Sequence, residues 1–143
     1  MTTHVATLLQ GKGHDVLTVT PESSVAALVK LLAEKRIGAV PVVDDAGHVA
    51  GIVSERDVVR ALAADSAVLE RRVGQLMTRD VKTCRLEDTI SELMEIMTRG
   101  RFRHLPVVED GKLVGIISIG DVVKERVAEA QHEVEALTNY IHS

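Results

Sequence analysis

The chain is poor in the residues on which several whole classes of function depend. Aromatic side chains make up 1% of its 143 residues, with no tryptophan, one tyrosine and one phenylalanine. That removes the stacking platforms on which single-stranded nucleic acids are held, so any base bound here lies between aliphatic side chains and backbone. Cys84 is the one cysteine, which rules out an intramolecular disulfide and makes a reducing compartment the simplest setting. Basic residues are the minority, 17 Lys and Arg against 21 Asp and Glu, for a net charge of −4. Such a balance argues against a protein that works by neutralising a nucleic-acid backbone. The first ten residues have neither a basic n-region nor a sustained apolar run, and no later stretch approaches the length of a bilayer span. The expectation is a cytoplasmic protein with neither nucleic acid nor membrane as a partner.

Catalytic and metal chemistry are just as thinly provided for. His4, His14, His48, His104, His132 and His142 are scattered with no i, i+4 pair and no companion cysteines, so no transition-metal site is expected. No glycine-rich phosphate loop of the P-loop or Rossmann kind is present. Cys84 with His104 is the one conceivable nucleophile and base. A buried, inert cysteine in a strand is the commoner arrangement, and no enzyme is expected.

What the chain does have is a repeat. Asp15 to Arg60 reappears, with one residue deleted, as Asp80 to Lys124. Pro41-Val42-Val43 answers Pro106-Val107-Val108, and the run from Gly51 to Asp57 answers the run from Gly115 to Asp121. A unit of about 45 residues is too short to bury its own apolar face, so the copies are expected to pack on each other about a pseudo-twofold, with clefts along the seam. An apolar content of 45% suits one compact domain of two subdomains. The boundaries read as a lead-in helix over 1–14, a first repeat over 15–63, a linker helix over 64–79, a second repeat over 80–126 and a helical extension over 127–143.

Each copy reads as β-α-β-β-α, an α+β pattern with a small mixed sheet. The opening strands are Val16 to Val19 and Val81 to Cys84. Pro21 and Ser23 signal the start of a helix carrying Val25, Leu28, Val29 and Leu32 on one face. Thr89 with Glu92 makes a capping box before Ile90, Leu93, Met94 and Met97. Two β-branched runs follow, joined by Asp45-Ala46-Gly47 in one copy and Asp110-Gly111 in the other. A second helix begins near Ser54 or Ser118. The linker, with Val73, Leu76 and Met77 at helical spacing, faces the pre-repeat segment Val5, Leu8 and Leu9, and both read as short helices leading into their repeat. In the last helix Val123, Val127, Ala130, Val134, Leu137 and Ile141 fall four and three apart. That is a heptad seam, suited to a second copy of the chain or to packing on its own domain.

Asp57 and Asp121 stand three residues after Ser54 and Ser118, about one turn into a helix. An ionised carboxylate accepts the two hydrogen bonds of a ribose cis-diol, and a serine hydroxyl beside free N–H groups at a helix N-terminus suits a phosphate oxygen. The same residues are also what N-capping alone requires. Basic residues break the symmetry. Arg99, Arg101, Arg103 and His104 precede Leu105-Pro106, where the first copy has Glu34, Arg36, Gly38 and Ala39 before Val40-Pro41. On an extended segment Arg101 and Arg103 point the same way, toward phosphate. Within the motif, Arg56 offers charge where Gly120 permits close backbone approach. The backbone around Leu105 and Pro106, with free strand-edge groups, reads as a wall that can pair with a bound base, and Thr18 and Thr83 as its opposite side. Ala39 and Pro41 are the matching wall of the first copy. Two non-equivalent sites are expected, with the one on Asp121 the stronger.

Pro-Val-Val followed by Gly-Ile-(Val/Ile)-Ser-x-x-Asp, doubled at this spacing, resembles the cystathionine-β-synthase (CBS) domain pair, or Bateman module, over about residues 5 to 126. The long terminal helix closing on Tyr140-Ile141-His142 is similar to that of stand-alone bacterial members. The resemblance implies a tandem α+β fold and a disc-like homodimer formed through the repeats and the C-terminal helix. It also implies an adenine nucleotide such as AMP, ATP, ADP or NAD(H) between the repeats, no required cofactor, and ribose and phosphate contacts at the Ser-x-x-Asp positions. The implied role is regulatory, sensing energy or redox state and signalling to an unidentified effector protein. A ligand-free interaction dimer, or a binder of another adenosyl compound such as S-adenosylmethionine, is the alternative.

Overall fold

The computed structural model describes residues 2–142, with the side chain of His142 undescribed. Met1 and Ser143, the outermost residues of the expected first and last segments, lie outside the described residues. The elements run α1 (Val5–Lys12), α2 (Val25–Lys35), β1 (Ala39–Val43), β2 (Val49–Ser54), α3 (Glu55–Ala64), α4 (Ile90–Gly100), β3 (His104–Glu109), β4 (Lys112–Ser118) and α5 (Ile119–His142). This is the expected α+β pattern, with two small sheets and a long last helix.

The chain divides into two compact units. One holds α1, Thr83–Val108 and the chain from Gly115 on, and the other holds Asp15–Lys82 and Glu109–Val114. Each lead-in therefore precedes one repeat in sequence and packs on the other. The Val5 N–H donates to the Asp88 carbonyl at 2.8 Å, the Ile90 N–H to the Thr3 carbonyl at 2.9 Å, and Val5 and Leu9 are fully buried beside the second repeat. In the other unit Val73 and Met77 of the linker join Leu28, Leu32, Val40, Val42 and Val53 in one apolar core. The linker is two single 3-10 turns, Val68–Glu70 and Val73–Gln75, instead of the expected helix. Its backbone is drawn outward: the Gly74 N–H donates to Pro21 and the Val73 N–H to Ser23, both at 2.8 Å, so these groups are lost to a continuous helix.

Helix starts follow capping chemistry. Thr89 and Glu92 form the expected capping box. α2 begins one residue later than expected, because the Ser24 hydroxyl accepts from the Ala27 N–H at 3.1 Å while Ser23 is turned to the Thr20 N–H. β1 and β2 pair antiparallel with Ala39 opposite Ser54, and β3 pairs with β4. Asp110 and Gly111 both have positive φ, 51° and 80°, as a tight hairpin turn demands. The expected opening strands shrink to single parallel bridges, Val19 to Val42 and Cys84 to Val107. With Ile52 bridged antiparallel to Thr78, the first copy keeps a mixed sheet in reduced form.

Gly51 and Gly115 owe their doubling to these lead-ins. A Cβ on Gly115 would lie 2.8 Å from Cδ1 of Leu9, and one on Gly51 would lie 2.7 Å from the Thr78 carbonyl oxygen. Only a bare backbone lets either segment pass so close.

Candidate functional site

β4 runs straight into α5, and Ser118 at the junction caps the helix. The Asp121 N–H donates to the Ser118 hydroxyl at 3.1 Å and the Ser118 N–H donates to Oδ2 of Asp121 at 2.9 Å. The Ile119 N–H also donates to the Arg103 carbonyl at 2.8 Å, which fixes the start of β3 against the helix entrance. Arg103, His104, Ser118 and Asp121 are thus drawn into one neighbourhood from two stretches of sequence. Lys12, at the end of α1, completes it. Its ammonium donates to the Ile116 carbonyl at 2.8 Å and to Oδ2 of Asp121.

Charge shapes the titration here. Burial pushes the Asp121 carboxyl up, but the hydrogen bonds from Lys12 and Ser118 outweigh it and hold the group below the usual carboxylate range. His104 is held below its ordinary value, first by burial and then by the Lys12 charge, with Arg103 adding to the effect and Asp121 opposing it. A neutral imidazole beside an ionised carboxylate can both donate and accept, which suits a polar ligand.

The first copy repeats the frame without the cation. The Ser54 N–H and hydroxyl donate to Oδ2 of Asp57 at 2.9 and 3.1 Å, and the Asp57 N–H donates to the Ser54 hydroxyl at 3.3 Å. The Glu55 N–H donates to the Gly38 carbonyl at 3.0 Å, so Gly38 and Ala39 stand where Arg103 and His104 stand in the second copy. Beside Asp57 opens a hollow of about 480 Å³ whose walls include Arg60 and Ala61 of α3 and Arg71, Gln75 and Leu76 of the linker. No pattern in the sequence announced it, because it exists only where the linker folds back on α3.

Several expected roles need correction. Both serine hydroxyls accept the capping N–H of their aspartate, and the Ser54 hydroxyl also donates its proton to Asp57, which takes it away from the phosphate contact expected there. One oxygen of each carboxylate, Oδ1, remains without a partner among the described residues. Arg101 does not lie on an extended segment with Arg103. It ends α4 in the left-handed conformation, φ 56°, as Arg36 ends α2 with φ 53°, because α4 runs on to Gly100. The Pro106 carbonyl is no free strand edge, since it accepts from the Cys84 N–H at 2.9 Å, and Pro41 accepts likewise from Val19 at 3.2 Å. Leu105 is fully buried. Thr18, Thr83, Arg56 and Gly120 are exposed. At Gly120 an added Cβ would meet only Ser118 Oγ at 3.6 Å, so the fold itself does not demand glycine there. Burial, then the charge of Asp88, pushes the Cys84 thiol up to about 12, and a thiol that stays protonated is no nucleophile. Among the described residues no cluster of three metal-ligating side chains occurs, and no helix is long and apolar enough to cross a membrane.

Comparison with known proteins bears directly on this doubled frame. The CBS domain family model matches twice, over residues 13–64 and 73–128. The chain belongs to the CBS-domain family. A curated relative, the mitochondrial CBS domain-containing protein CBSX3 of Arabidopsis thaliana, is 32% identical over 148 residues, covering 97% of this chain and 72% of its own. Among solved structures, the CBS-domain containing protein ATU1752 of Agrobacterium tumefaciens is 51% identical with a TM-score of 0.82, covering 87% of this chain and 99% of that one. Two further CBS structures carry ligands. CBSX2 in complex with AMP is 28% identical with a TM-score of 0.71, covering 81% of this chain and 91% of its own. The CBS domain pair of MJ0100, in complex with 5′-methylthioadenosine and S-adenosyl-L-methionine, is 25% identical with a TM-score of 0.80, covering 90% and 99%.

Proposed function

We propose that this CBS pair is a regulatory module, not an enzyme, that binds an adenine nucleotide of the AMP, ADP, ATP or NAD(H) type at its Ser-x-x-Asp sites and signals to a partner protein by conformational change. The observation that carries the reading is the Asp121 cluster: a carboxylate with one oxygen unused, held at a helix entrance beside Arg103, His104 and a lysine. Two adenosine-bearing CBS structures of the same fold support it. A bound ligand shifts the protein between arrangements by no more than its difference in affinity for them.

The working form is a homodimer through the CBS repeats and the terminal helix. Val127, Val134, Leu137 and Ile141 stand exposed along α5 at 52, 63, 62 and 68%, so within the chain the heptad seam is left uncovered. A second copy of the same seam is its natural complement.

Thermal unfolding tests the ligand. An adenine nucleotide at a hundred times its Kd stabilises the folded chain by about 2.7 kcal/mol, which is read as a rise in Tm. Asp121→Ala removes most of that rise, and an unchanged rise in this variant overturns the assignment.

A further inference from the structure

We propose that Lys12 selects the ligand of the Asp121 site, admitting adenosine compounds that carry a phosphate and disfavouring neutral or cationic adenosyl compounds. The inference rests on the nucleotide reading above and adds the ligand's charge class to it.

An isolated carboxylate that binds a ribose diol repels a neighbouring phosphate and attracts a sulfonium. At Asp121 this bias is cancelled, because the Lys12 ammonium is bonded to Oδ2. The cation is held in place by the Ile116 carbonyl at 2.8 Å, a contact independent of the carboxylate. Two of the three ammonium N–H groups are used in these bonds, leaving one donor for an anionic oxygen. Oδ1 of Asp121 remains for the diol. Arg103, tied to the same helix entrance through its carbonyl, adds further positive charge, and His104, lowered first by burial, is lowered further by both cations.

The other copy lacks this arrangement. In the other lead-in Met77 lies against Gly51 as Leu9 lies against Gly115, and the residue three places on is Asp80 where α1 has Lys12. No described cation is bonded to Asp57. The difference between the copies therefore originates in the lead-ins, and α1, which belongs in sequence to the first repeat, supplies the charge for the motif of the second.

The experiment is calorimetric titration with AMP, adenosine and S-adenosylmethionine, in an Asp57→Ala background that isolates the Asp121 site. AMP is expected to bind at least about tenfold more tightly than adenosine, from one charge-assisted hydrogen bond. Lys12→Met should remove about tenfold of that preference while adenosine affinity holds, and Lys12→Arg should restore it. Lys12→Gln serves where Lys12→Met fails to fold by circular dichroism. An AMP-to-adenosine ratio unmoved by the loss of Lys12, or AMP and adenosine weakening together, overturns the inference while leaving nucleotide binding intact. Binding by the unmodified chain but none in the Asp57→Ala background overturns it by moving the ligand to the other copy. No binding of any of the three by the unmodified chain overturns the functional reading itself, and the inference with it.

Discussion

Leu9 and Gly115 should behave as one size-matched pair. Leu9 is fully buried, and a Cβ on Gly115 would stand 2.8 and 2.9 Å from its two methyl carbons. Gly115→Ala forces the leucine to shift, an overpacking cost of about 1–3 kcal/mol. Leu9→Ala leaves a cavity and costs about 2–5 kcal/mol. In the double variant the new methyl group occupies space the leucine vacated, so the two costs must not add. The combined loss should fall short of the sum by at least about 1 kcal/mol, well outside the scatter of about 0.3–0.5 kcal/mol expected for independent sites. Gly51→Ala offers the contrast. There the added carbon meets the Thr78 carbonyl, a backbone group held by the Ile52 N–H at 3.0 Å, so no neighbouring truncation relieves it. Urea unfolding followed by far-UV circular dichroism supplies the free energies, provided the slopes stay constant. Simple additivity for Leu9 and Gly115 refutes the account of why glycine stands at that position.

Two further outcomes are expected. The folded state favours neutral His104, so between its lowered folded pKa and an unfolded value of about 6.5 the unfolded chain binds the extra proton. Stability is then full above that unfolded value and falls as pH falls through the window; His104→Gln should flatten this part of the pH–stability curve, and an unaltered slope would assign it elsewhere. On the terminal helix, Leu137→Glu should shift the chain toward monomer in sedimentation velocity while leaving its circular dichroism unchanged. A dimer that persists in this variant places the contact off the seam.

The repeat, the helices of each copy, the Thr89 capping box and both hairpin turns were legible because each is set by residues close in sequence. The Ser-x-x-Asp motif was legible for the same reason, including its capping chemistry. Where the reading failed, the deciding contact was distant. The linker gave up its helix because Gly74 and Val73 bond to Pro21 and Ser23, some fifty positions away. The opening strands reduced to single bridges because Val19 and Cys84 meet β1 and β3 at one residue each. Lys12 was invisible as a site residue, since nothing in its neighbours in sequence points to Asp121. Arg101 misled because an extended pattern was read through what is the last turn and stop of α4.

That α1 is folded against residues made much later has a consequence for synthesis. A helix of eight residues is too short to hold its shape alone in water. As the chain leaves the ribosome, Val5 and Leu9 must wait for Asp88, Ile90 and finally Gly115 to emerge before they are covered. A segment translated before both repeats is thus among the last to find shelter, its apolar side uncovered while the first repeat is being made.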